Sequence, residues 1–245
     1  MITLVKYEFQ KLKKNHILPF LIVFSLLGIL LGSSLFLANR SLFENESNES
    51  LVLWSQTTLY SSQLFFPILI GILCSISWQL EEVGENWLRI KILPVKVSKF
   101  ILAKFISILS VVGLNQIFFI ILFTVTSIIL QTPDIKFLNF LLWSFLGWIG
   151  SASIISIQLF ISIKLKGFTF PILLSAVLSI IGLMTLFVSQ FIFDFFPFAQ
   201  MTVGMRSRIV SNMNSNELFL FIFKNLLYTL IFLFLSNISL KRKEG

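Results

Sequence analysis

The sequence predicts an all-α membrane protein with six transmembrane helices, and composition and the arrangement of apolar runs carry that reading. Of 245 residues, 56% are hydrophobic and only 12% charged, with a mean hydropathy of +0.93. A soluble domain usually carries about 25% charged residues, roughly twice as many. A water-soluble fold of this size has nowhere to hide so much apolar surface. The apolar runs also leave no room for a separate soluble domain of about 50 residues or more.

The elements follow in order. Residues 1–16 predict a short helix, because at 100° per residue Met1, Ile2, Val5, Phe9 and Leu12 gather on one side while Lys6, Gln10, Lys13 and Lys14 fall opposite. This is the pattern of a helix lying in the membrane interface, with its apolar face in lipid and its lysines toward anionic headgroups. The plainer alternative is a basic anchor with no further role. Six runs long enough to cross about 30 Å of hydrocarbon follow, at about 17–38, 59–80, 105–130, 138–163, 168–193 and 218–240. Only the last contains a formal charge, Lys224. The first has too long an apolar core for a signal peptide, and no small-x-small cleavage site follows it, so it reads as an uncleaved span.

Basic residues set the expected orientation. Fourteen of the 19 Lys and Arg fall on one side, in the N-terminal segment, the connections after the second and fourth spans, and the C-terminal tail 241–245; five fall on the other. Lys and Arg near span ends are retained in the cytoplasm, so both termini are expected there. The formal charge of +8 therefore marks membrane boundaries. A nucleic-acid partner needs basic residues grouped on a water-exposed face, and none is expected.

Two connections are more than tethers. Residues 81–100, EEVGENWLRIKILPVKVSKF, start with the acids Glu81, Glu82 and Glu85, run through Trp87, Leu88, Ile90, Ile92 and Leu93, and break at Pro94. Apolar residues held at the cytoplasmic edge predict a docking surface for another protein, with an interfacial helix stabilised by lipid alone as the alternative. Residues 194–216 contain FFPFAQMTVGMRSR, aromatic and apolar beyond what a surface loop needs. Irregular backbone exposed to lipid is not tolerated at depth. The segment beginning at Asp194 therefore reads as short re-entrant helices dipping into the outer leaflet, broken near Pro197 and Gly204, with a plain surface loop as the alternative.

Catalytic chemistry finds little support. His16 is the only histidine and sits among lysines, so a triad or a zinc site would lack a second imidazole. Cys74 is the only cysteine and lies inside an apolar run, where it reads as a packing residue. Lys224 lies within reach of the outer interface by snorkelling. Spans without carboxylates argue against ion-coupled transport, and no G-x-x-x-x-G-K-[ST] loop is present to bind ATP. No cofactor or metal is expected on this chain, and energy for any uphill movement has to come from a partner. Asn115, Gln116 and Gln158 in the spans read as hydrogen bonds between helices or as lining of a route.

The stretch EEVGENWLRIKILPVKVSKFILAKF and the opening MITLVKYEFQKLKK resemble the type-2 ABC exporter permeases, most of all the lantibiotic-immunity permease subunits. The resemblance covers the whole chain in topology and about 40 residues in detail. It implies a non-enzymatic permease subunit in a bacterial plasma membrane, served by a separate cytoplasmic ATPase that binds ATP and Mg. It also implies a second six-span permease, identical or related, and an amphipathic peptide such as a lantibiotic as substrate, expelled for self-protection. Another peptide, a drug or a lipid is the alternative cargo, and a non-transporting scaffold or sensor the alternative role. By the same resemblance, Glu81, Glu82, Gly84, Glu85 and Trp87 fall in the coupling segment that docks into a groove of the ATPase. Val5, Lys6, Phe9, Leu12 and Lys13 belong to the interfacial helix.

Overall fold

The computed structural model describes residues 1–42, 48–83, 96–132, 136–165 and 167–242. Among these, the regular elements are all helical. α1 (Ile2–Lys14) is joined to α2 (Ile17–Ala38) by a tight turn in which His16 adopts a left-handed conformation, φ 52°. The histidine of the sequence is thus a hinge residue. The other long helices are α3 (Glu49–Glu82), α4 (Val97–Ile129), α5 (Phe137–Lys164), α6 (Thr169–Val188) and, last in the chain, a helix over Ser215–Arg242. With α2, these are six helices long and apolar enough to span a membrane. An even number of crossings puts both termini at one end of the bundle, here called basal.

The helix ends differ from the predicted spans where packing replaces lipid. α3 begins ten residues before the predicted 59–80 span, and the added turns are among the best buried of the chain, with Leu53, Trp54, Thr57 and Thr58 all buried. Glu49, at the start of these added turns, is buried and paired with Arg40 at 3.0 Å. α4 is 33 residues long, about 50 Å, and so overreaches about 30 Å of hydrocarbon. α6 stops at Val188 because Ser189 is extended, so the last residues of the predicted 168–193 span form a separate helix, α7 (Gln190–Phe195).

α5 is the central post, packing against α3, α4 and the last long helix. α3 is interrupted by a wide π-turn over Ser61–Phe65. It falls just before Pro67, which has no N–H to give the carbonyl of Gln63 and whose ring would crowd it. Between Phe196 and Ser215 the chain does not stay at the distal end. A 3-10 turn, Pro197–Ala199, leads into α8 (Gln200–Gly204), which lies against the middle of α5. Gly150, thirteen residues beyond the start of α5 and so about 20 Å along it, faces the Gln200 carbonyl so closely that a Cβ has no room. Gly204 meets the Leu146 backbone in the same way, its Cβ position 2.6 Å from that carbonyl oxygen. The last long helix is labelled α9. Trp54 donates from Nε1 to the Met205 carbonyl at 2.9 Å, and Trp143 to Asn212 Oδ1 at 2.9 Å, pinning the return of this hairpin.

Candidate functional site

At the basal end four charges meet in the interior. Lys104 on α4 is 1% exposed, and its Nζ lies 2.7 Å from Glu8 Oε2 on α1 and 3.0 Å from Glu81 Oε1 at the end of α3. Lys11 closes the ring, 2.5 Å from Glu81 Oε1 and 3.3 Å from Glu8 Oε1. The cluster holds two ammonium groups and two carboxylates and is neutral as a whole. Lys104 also donates to the Ser77 carbonyl at 2.8 Å and sits over the Phe100 ring at 4.8 Å, so its ammonium has partners on every side described. Burying an ion costs several kcal/mol, which is offset only by such geometry.

The local sequence explains the placement. Glu8 and Leu12 are one turn apart on the inward face of α1, and Lys11 is the i+3 partner of Glu8. The Ser107 hydroxyl, one turn beyond Lys104, lies 3.0 Å from the Val5 carbonyl and fixes the other end of α1 against α4. Burial alone would lower the basicity of Lys11, but its bonds to Glu81 and Glu8 outweigh that and hold its pKa above the ordinary lysine value.

Leu12 is buried, Val5 and Phe9 are half-buried, and Lys6 and Lys13 are exposed. The inward face thus carries an acid, Glu8, beside Leu12. Glu81, expected on a docking surface, turns its carboxylate into the cluster instead. Glu82 accepts a long hydrogen bond, 3.4 Å, from the backbone N–H of Gly167 in the connection after α5. Gly84, Glu85 and Trp87 lie outside the described residues. Sequence reasoning missed Glu8 and Lys11 and counted Lys104 as a boundary charge. One signal was available: Glu8 is the only acid before Glu44.

A second polar assembly ties the distal hairpin to the spans. In the π-turn of α3, Gln63 Oε1 accepts from Thr202 Oγ1 at 2.9 Å, Gln63 Nε2 donates to the Ser179 carbonyl at 3.2 Å, and Ser62 donates to Thr202 at 2.9 Å. Asp194 gives its carbonyl to Lys224 Nζ at 2.5 Å and to Gln200 Nε2 at 2.8 Å. Its carboxylate accepts from Gln190 at 2.7 Å, and burial holds the pKa of that group above the usual aspartate value. Lys224 Nζ is therefore bound to a backbone carbonyl. The Pro197 carbonyl lies 3.3 Å from the Ser153 hydroxyl of α5. Asn115 meets Ser25 of α2 at 3.0 Å, and Gln158 donates to the Pro171 carbonyl of α6 at 2.6 Å, both as bonds between helices.

The family model described as ABC-2 family transporter protein matches residues 4–182. The chain belongs to the ABC-2 transporter family. As an ABC-2 permease it is a membrane component of an ABC transporter, and the matched region starts within α1, ends within α6 and includes all four charges of the basal cluster. No curated protein and no solved structure matches this ABC-2 permease.

Proposed function

We propose that this permease forms one half of an ATP-driven exporter whose energy enters at the basal end, from a separate ATPase that docks on the segment 81–100. The observation that carries this reading is the position of Lys104. It binds α1 to the last turn of α3 and the first turns of α4, the two helix ends that flank the docking segment. A displacement of that segment moves three helices together, because separating any one of them exposes a buried charge. The cytoplasmic assignment of this end rests on its fourteen basic residues. A second six-span chain completes the pore.

The cargo is an amphipathic peptide, a lantibiotic or one similar, taken from the membrane and released outward. This follows the resemblance of Glu81–Phe105 and the N-terminal segment to the immunity permeases. Export of another peptide, a drug or a lipid uses the same machinery. Co-purification and resistance together test the reading. Trp87→Ala is expected to lower recovery of the ATPase and sensitise cells to the peptide. Undiminished recovery with unchanged resistance would remove the docking assignment, and a gene with no ATPase or second permease beside it would count against the exporter.

A further inference from the structure

A cleft of about 330 Å³ opens sideways between α4 and α5, lined by Gly113, Gln116, Ile117, Leu141, Ser144 and Phe145, with Ile120 and Trp148 behind. Its size falls at the lower end of small-molecule sites, which run from about 300 to 1,000 Å³. Ile117 and Phe145 at its mouth are 58% and 56% exposed on the flank of the bundle. Inside, two buried polar side chains are incompletely satisfied. Gln116 donates through Nε2 to Met205 Sδ at 3.8 Å, but its Oε1 has no partner, and Ser144 Oγ has none either. Trp148, the other polar side chain of the wall, is already committed: its Nε1 donates to the Leu109 carbonyl at 2.8 Å.

Leaving a buried acceptor unpaired costs about 1–3 kcal/mol, and in hydrocarbon no solvent is at hand to relieve it. Two such groups in one apolar cleft that opens to lipid form a built site with an apolar wall and an unmet hydrogen bond. The geometry points to a binding site for a neutral, single-chain amphiphile drawn from the bilayer, its alkyl chain along Ile117, Ile120, Leu141 and Phe145 and its hydroxyl or amide donating to Gln116 Oε1 once that amide, closed off in this structure, turns toward the cleft. Among the described residues no ionisable side chain lines the cleft, so none there offers a counter-ion to a charged headgroup. Gly113 lets Trp148 pack close to α4 at the back of the cleft: a Cβ at that position would come 3.0 Å from Trp148 Nε1. The site needs no ATPase to fill and stands apart from the basal cluster.

The test uses the full chain in nanodiscs of a neutral phosphatidylcholine, exposed to a photo-activatable twelve-carbon alcohol or to the matching alkane, with labelled peptides mapped by mass spectrometry. The alcohol is expected to label residues 113–120 and 141–148 about three- to tenfold more than the alkane, the worth of one buried hydrogen bond. Gln116→Leu removes an orphaned acceptor, so it is expected to leave the unfolding temperature unlowered and bring the two probes to parity. Ile117→Trp fills the mouth and blocks both. Equal labelling of the unmodified chain by alcohol and alkane, as a water-filled or merely greasy cleft gives, overturns the assignment even if neither variant folds.

Discussion

Lys104 shows how much one residue can settle. Its ammonium stands between two carboxylates from different helices and has almost no access to solvent. Lys104→Met leaves Glu8 and Glu81 facing each other with only Lys11 between them, and is expected to cost about 3–5 kcal/mol, read from denaturant unfolding in detergent micelles. The double variant Lys104→Met, Glu81→Leu keeps the Glu8–Lys11 pair neutral, and should therefore be more stable than Lys104→Met alone. Additive losses would show that the four charges do not act as a unit. Lys11 gives a pH dependence of definite sign. A lysine whose folded pKa is raised contributes stability that is complete below its unfolded value, about 10.4, and is lost as pH climbs through the folded value. Lys11→Met should flatten the alkaline limb of the unfolding-temperature profile above about pH 10.4. The sequence showed a lone acid among lysines but could not show its target, because Glu8 and Lys104 are 96 residues apart. Pairing at that separation is written in the third dimension alone.

Among the elements, the long helices were legible and their ends were not. Apolar runs of about 20 residues announce a span by length alone. The ends depend on what covers them: the first ten residues of α3 look polar enough for a loop, with Ser55, Gln56, Thr57 and Thr58, yet the Thr57 and Thr58 hydroxyls bond back into the helix, Ser55 donates to the Ser207 carbonyl, and Trp54 fills a cluster with Phe119, Phe123 and Phe140. The distal hairpin was legible as a segment too apolar for a loop, but its depth was not, because that depth is set by absent atoms on a different helix. Gly150→Ala puts a methyl group into the Gln200 backbone and should displace α8, at a cost of about 1–3 kcal/mol for overpacking. A cysteine placed at Met201, which is buried, should react slowly with a water-soluble maleimide in the parent chain and at least several-fold faster with Gly150→Ala. An unchanged rate would mean that the hairpin is held by its hydrogen bonds to Gln63 and not by the fit of backbones.

For the whole molecule, the testable quantity is which end faces the cytoplasm. The chain's own Cys74 is fully buried, so single cysteines can be introduced without removing it. Lys13→Cys and Lys241→Cys, at exposed basal positions, should be labelled by a membrane-impermeant maleimide only in inside-out vesicles; Leu42→Cys, at the distal end, should be labelled on intact cells. The reverse pattern would invert the bundle and strip the docking segment of its ATPase. The family, the six crossings and a permease role follow from composition, spacing and the matched region, whereas the cargo does not, because peptides, drugs and lipids place similar apolar demands on a route.

The buried cluster also sets an order of events during synthesis. A ribosome adds about 5–20 residues per second, so Glu8 emerges roughly 5–20 s before the lysine it will meet, given the 96 residues between them. Over that interval α1 keeps its acid at the water boundary with only Lys11 for company. When α4 arrives, its lysine would be a poor candidate for entry into hydrocarbon by itself, at about 2.5–3.5 kcal/mol if it reached the centre. A carboxylate already waiting at the rim lowers that penalty, so α1, made before α4, helps admit it and, through Glu81, holds α3 beside it.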